Sequence, residues 1–320
     1  MGDIVVALAS SHAFAVLPPE RWDEVRERNR KSYARRYGSE PPVHPRVEEE
    51  SWDLVQPRYE RVRSGLAALR QALVETQPDA LIVIGDDQNE NFSGQNCPQL
   101  AIYTAGEAVL VDRSMQESRS YPCDGESART LLEGAVEAGF DVAICDGFPE
   151  NRLLSHAHVE PLMRVLLPAA DIPIVPIFVN AIHWPAATPA RCFAFGEALA
   201  DIVRTRLGKK RIAIYASGGL SHFTAGYPWR VYRGPFGYGA ISEAFDRKLI
   251  RWMTEGRAEE IKKLTSDDLL DHGNIEFRCW IVALGMVGAV PAEMLAYEPL
   301  YRGLMGMGVA RWTLPAARGA

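Results

Sequence analysis

The sequence holds no C-x-x-C pair. Its five cysteines (Cys97, Cys123, Cys145, Cys192 and Cys279) are scattered and odd in number. That argues against a zinc ribbon or a disulfide frame and leads us to expect free thiols in a reducing compartment. No apolar run reaches about 18 residues, the length a membrane-spanning helix needs, so no span is expected. A long Lys/Arg block is also missing. "GKKR" at 208–211 and "YARRYG" at 33–38 are short and read as solvated faces, and the net charge is −6; no nucleic-acid footprint is expected. The N-terminal stretch "MGDIVVALASSHAF" has Asp3 where a signal peptide carries Lys or Arg. These absences together predict a soluble, cytoplasmic protein. There is no low-complexity linker and no internal repeat, so one domain over residues 1–320 is expected.

What is present is a globular composition, 47% hydrophobic and 24% charged, enough for a substantial core. Short apolar runs alternate with amphipathic stretches. Strands are predicted at 4–9, 80–85, 141–145, 172–179 and 211–217. Val62, Leu66, Leu69 and Leu73 recur at helical spacing and stop at Pro78. Asp124 and Ser127 can cap a helix running to Gly139. Thr188 followed by Pro189 opens another, with Gly208 as its stop. Val/Ile-rich strands with little alternation, separated by helices, predict an α/β fold: a largely parallel, mixed central sheet flanked by helices on both faces. Residues 18–57 break this pattern. They are polar, charged and punctuated by proline, and read as an insertion of short helices and loops over one end of the sheet, as a lid or subunit contact.

In open α/β sheets ligands gather beyond the carboxyl ends of the strands. The first strand is followed by His12, and the second by "GDDQNENF", with Asp86, Asp87, Gln88 and Glu90. His156 and His158 follow the third, Asn180 and His183 the fourth, and His222 the fifth. His272 lies in "LDHGNIEFRCW", before a helix that would carry Glu276 in its first turn; His44 is left in the insertion. Imidazoles and carboxylates gathered at one sheet edge suit a metal or acid–base site.

The ordered set "SSHAF", acidic turn, "SHAHVEP", "VPIFVNAIHWP", "ASGGLSH", "GNIEFRCW" and "GMGVARW" resembles the catalytic subunit of class III extradiol ring-cleavage dioxygenases, the family of protocatechuate 4,5-dioxygenase. The resemblance covers nearly the whole chain. It implies Fe(II), with Mn²⁺ as an alternative, held by two histidines and a glutamate. His12 matches the first ligand and Glu276 the carboxylate. His222 matches the acid–base histidine and His156 the histidine near bound substrate. The second ligand belongs to a D-H pair at the end of the second strand, where this sequence reads "DDQN", so Gln88 falls where the histidine belongs. Gln88 could bind through its carbonyl oxygen, with Asp87 as the competing donor. With Gln88 the centre keeps one net positive charge; with Asp87 the protein neutralises it, which favours harder ions such as Mn²⁺.

The resemblance further implies dioxygen and a small aromatic substrate, a catechol or a ring such as a hydroxypyridone, that chelates the metal through adjacent oxygens. His222, neutral near pH 7, would move the protons. Asn180, His183, Phe223 and Tyr227 are expected near the substrate, and Arg191, Arg278 and Arg302 are cations that could meet a carboxylate on it. A homo-oligomer is expected, with a small partner subunit left open. Two other readings stay open: a metal-dependent hydrolase or C–C lyase on the same scaffold, and a catalytically silent partner subunit.

Overall fold

Strands whose residues point to both faces of a covered sheet can be apolar along most of their length, and the central strands here are buried almost throughout. The computed structural model describes residues 1–12, 16–112, 117–148, 153–166 and 172–314; Ala13 and Phe14 of the "SSHAF" motif lie outside them. Among the described residues the strands are β1 (Asp3–Ser10), β2 (Ala80–Gly85), β3 (Leu100–Tyr103), β4 (Glu107–Asp112), β5 (Glu117–Pro122), β6 (Ala143–Cys145), β7 (Ile174–Val179), β8 (Arg211–Ser217), β9 (Glu293–Leu300) and β10 (Met305–Thr313). The helices are α1 (Trp22–Tyr37), α2 (Pro45–Glu49), α3 (Trp52–Thr76), α4 (Gly125–Glu137), α5 (His156–Pro161), α6 (Pro189–Arg206), α7 (Glu243–Thr254), α8 (Ala258–Lys262), α9 (Ser266–Asp271) and α10 (Arg278–Val287).

Eight strands make one sheet in the order β6-β3-β7-β2-β8-β1-β10-β9, and β4 and β5 pair separately. The middle of the sheet is parallel: β7 with β2, β2 with β8 and β8 with β1. Antiparallel pairing enters where β3 meets β7 and where β10 joins β1 and β9. One apolar cluster joins α4, α6 and α10 to one face, and a second joins α3 to the other. The expected α/β architecture is therefore the one found.

The predicted helix starts form as caps. The Asp124 carboxylate accepts from the Ser127 amide at 3.1 Å, and the Thr188 hydroxyl accepts from the Arg191 amide at 3.2 Å. The insertion is more ordered than expected. It holds the 16-residue α1, and its last residues open α3 instead of closing a loop. Helix α1 is tied to the segment after β8: Arg36 donates to the Ala225 carbonyl at 2.9 Å, and Asn29 Oδ1 accepts from the Ala225 amide at 3.0 Å.

Every residue of α10 is buried. A helix apolar all round belongs inside a core, and α10 lies between α6 and the sheet. This anchors Glu276, which sits in the short 3₁₀ turn Ile275–Phe277 leading into α10.

Candidate functional site

Three strand ends and the entry to α10 converge on one buried cluster. His12 follows β1, Asp86 follows β2, and His222 follows the loop after β8; all are buried with Glu276. Gly218 makes the approach feasible. Its φ is +124°, and a Cβ there would lie 2.9 Å from Glu276 Cβ, so "GGLSH" needs glycine at that point on two counts. The Trp280 indole donates to the Gly218 carbonyl at 2.7 Å and fastens the loop to α10.

Hydrogen bonds fix the His12 tautomer. The Ser217 hydroxyl gives its single proton to the Ala157 carbonyl. It must therefore accept from His12 Nδ1, 3.0 Å away, which leaves Nε2 with a lone pair. Burial lowers the His12 pKa to about 3, so the ring is neutral. Nε2 and Glu276 Oε2 stand 3.7 Å apart, two electron-pair donors with no proton to link them.

Glu276 Oε1 accepts from Gln88 Nε2 at 2.5 Å and pairs with His222 Nε2 at 3.0 Å. Burial opposes its ionisation, yet the imidazoles, His222 foremost, draw the carboxyl below the usual range. His222 Nδ1 lies 2.9 Å from the Leu220 carbonyl, which can only accept, so Nε2 is the nitrogen left for chemistry. Burial lowers the His222 pKa, but Glu276 and the Leu220 carbonyl outweigh it and push the value up to about 9. Glu276 as its partner thus favours the protonated ring.

His156 packs edge-on against His12 at 4.9 Å. Its Nδ1 is 2.9 Å from Glu90 Oε2, and its amide also donates to that carboxylate. Burial works against its charged form, but Glu90 more than compensates and the pKa rises to about 9.

The three residues of the turn after β2 divide their roles. Asp87 accepts from the amides of Glu90, Asn91 and Phe92 and from the Asn91 side chain; its carboxylate shapes the turn. Gln88 reaches Glu276 with its amide nitrogen. Asp86 is fully buried, and neither carboxylate oxygen has a hydrogen-bond partner. Ligand atoms of His12, Asp86 and Glu276 all lie within 4.8 Å of one another. A free imidazole lone pair and two buried carboxylates form a donor set that fits a divalent cation.

A cavity of about 480 Å³ opens over the cluster, within the range of small-molecule sites. Its floor carries His12, Gln88, His156, His222 and Glu276, and α1 adds Val25, Arg28 and Asn29 from the insertion. The four residues expected near substrate do not line this cavity. Asn180 and His183 bond each other in a turn after β7. Phe223 and Tyr227 are buried in an aromatic cluster with Tyr232; bulk and aromaticity do not by themselves separate a pocket wall from a core. The expected arginines are also engaged elsewhere: Arg191 on the Gly139 carbonyl, Arg278 on the carbonyls of Ala187 and Ile275, and Arg302 on Asp23 and Glu50. Arg28 was not singled out, because a lone basic residue in a charged helix carries no signal without its tertiary setting.

Residues 48–310 match the family described as the catalytic LigB subunit of aromatic ring-opening dioxygenase. The chain belongs to this family. His12 precedes the matched stretch. A 2,3-dihydroxyphenylpropionate/2,3-dihydroxicinnamic acid 1,2-dioxygenase from Mycolicibacterium smegmatis is 28% identical over 163 residues, 51% of this chain and 50% of that protein. An enzyme of the same name from Rhodococcus jostii is 23% identical over 298 residues, 81% of this chain and 92% of its own. The chain thus spans about half the length of the first curated relatives it matches. An uncharacterized Escherichia coli K12 protein of known structure aligns with a TM-score of 0.49 at 17% identity, over 78% of this chain and 91% of its own. Among the described residues no helix is long and apolar enough to cross a membrane.

One histidine beside the cluster gives a pH prediction. His158 is fully buried between the Ser155 hydroxyl and the Ile177 carbonyl, and burial lowers its pKa to about 4. The unfolded chain takes up the proton near pH 6.5 while the folded chain refuses it. Stability from this group is therefore full above about pH 6.5 and falls by about 3 kcal/mol as pH drops toward 4. Urea unfolding midpoints between pH 7 and 4.5 should fall less steeply for His158→Gln than for the wild type.

Proposed function

We propose that the protein is an extradiol-type ring-cleaving dioxygenase, acting on a catechol-like or hydroxypyridone-like substrate with dioxygen and a non-heme metal, Fe(II) by family precedent. The observation that carries this reading is the convergence of His12, Glu276 and His222, far apart in sequence, on the floor of one cavity. His12 through Nε2 and Glu276 through its carboxylate would hold the metal, with a third donor from the turn at 86–88. Bound there, the metal would supply what side chains lack: a seat for two adjacent substrate oxygens and electron transfer to dioxygen.

The chain's own groups would handle protons and orientation. Once Glu276 gives its charge to a metal, His222 loses its strongest proton-holding partner. Nε2 is then free to take the proton of a substrate hydroxyl and return it later. His156, charged and held by Glu90 through Nδ1, keeps Nε2–H as a donor to a bound oxygen atom. The test is oxygen uptake on adding Fe(II) and a panel of catechols and hydroxypyridones. His222→Ala is expected to lower kcat about 10²- to 10⁴-fold. Turnover without oxygen consumption would reject this reading in favour of hydrolysis.

Arg28 bears on substrate choice. It lines the cavity and has no hydrogen-bond or ion-pair partner among the described residues, unlike Arg164, which pairs with Glu160. An exposed guanidinium lining the cavity suits a carboxylate on the substrate side chain, a feature present in the compound for which the relatives are named. Arg28→Ala should raise KM about tenfold for carboxylated catechols, leaving kcat and the KM for uncharged catechols nearly unchanged.

A further inference from the structure

We infer that the third protein donor to the metal is Asp86, so that the centre is built from one histidine and two carboxylates, His12, Asp86 and Glu276; this rests on the metal-dependent reading above. The resemblance points instead to the next two residues, but the geometry separates the three. Side chains alternate in direction along an extended segment. Asp87 turns away and is occupied by the amides of its own turn. Gln88 is on the same side as Asp86, but its amide nitrogen is bonded to Glu276, which makes it a positioning residue for that ligand.

Asp86 has no such occupation. It is 0% exposed and neither oxygen is bonded, and it shares the cluster with His12 and Glu276. An unpartnered buried carboxylate is expensive, and a second one close by makes it more so. Such a pair is relieved either by a proton held on one carboxyl, toward which burial and Glu276 push Asp86, or by a cation that displaces that proton. With two anionic ligands the protein neutralises a divalent ion. Relative to a two-histidine, one-carboxylate set, this oxygen-rich centre shifts preference toward harder ions such as Mn(II).

The experiment is a Mn(II) titration of the purified full chain, followed by the EPR signal of free Mn(II), with a melting curve for each metal-free and metal-loaded sample. Wild type, Asp86→Asn, Asp87→Asn, Gln88→Ala and Glu276→Ala are compared. Asp86→Asn is expected to weaken binding 100-fold or more and to erase the metal-induced rise in melting temperature. Because the Asp86 carboxylate makes no hydrogen bonds and its backbone carbonyl, which accepts from Ser155, is untouched by the substitution, Asp86→Asn should not lower the melting temperature of the metal-free protein; a purely structural role would lower it. Gln88→Ala should weaken binding tenfold or less. Wild-type affinity in Asp86→Asn, with binding lost in Glu276→Ala, overturns the Asp86 assignment and leaves the metal reading intact. Failure of the wild type to bind either Mn(II) or Fe(II) overturns both.

Discussion

Under the proposed function, Glu276→Ala is expected to leave the protein without bound metal and to lower ring cleavage by about 10⁴-fold or more, because the metal would supply the redox chemistry of that reaction. The same carboxylate also accepts from Gln88, His222 and the Gly219 amide. Its loss therefore frees His222, the proposed acid–base group, along with removing the proposed ligand. Without the carboxylate, the partner that holds the His222 proton is gone and the ring pKa should fall. Elemental analysis of the purified variant and an oxygen electrode measure the first two effects, and NMR titration of the His222 ring measures the third. Glu276→Gln, which preserves shape, should lose metal as fully while keeping more of the fold. Metal retained at wild-type occupancy in both variants would remove Glu276 from the centre.

The second large effect is expected at a residue the sequence reading passed over. Asp246, on α7, is fully buried and accepts from the Ser221 amide at 3.1 Å, the Ser221 hydroxyl at 2.6 Å, Asn274 Nδ2 at 3.0 Å and the Tyr297 hydroxyl at 2.8 Å. Ser221 adjoins His222, and Asn274 is two residues from Glu276. One carboxylate thus sets the two loops that carry His222 and Glu276, the proposed acid–base group and metal ligand. Gly306 accommodates it: a Cβ there would sit 2.4 Å from Asp246 Oδ2. Asp246→Ala would leave four buried donors unmet, each costing about 1–3 kcal/mol, so a loss of about 4 kcal/mol or more is expected. Urea unfolding should report that loss, and the Mn(II) affinity of the folded fraction should fall as well. Asp246→Asn, which keeps one acceptor oxygen, should recover part of both. A melting curve unchanged by Asp246→Ala would refute the hub role.

Four of the five predicted strands form where expected; those at 4–9 and 172–179 fall within two residues of the ends of β1 and β7. "ALIVIG" and "RIAIYAS" form β2 and β8 at the predicted residues, because a strand covered on both faces is apolar throughout. The third prediction shrinks to Ala143–Cys145 at the sheet edge. The hairpin of β9 and β10 went unread: "MGMGVARWT" is poor in β-branched residues and alternates methionine with glycine. Gly306 and Gly308 are there because Asp246 and Leu220 lie against that strand, a reason found only in another part of the chain.

By itself, the sequence determined the α/β architecture and the gathering of polar groups at the strand ends, because period, capping and strand polarity are local properties of the chain. Only the tertiary structure decided how Asp86, Asp87 and Gln88 divide their work, which arginines line the cavity, and that Asp246 steadies both loops. Those outcomes depend on which distant atom satisfies each buried polar group, and no local pattern encodes such a partner.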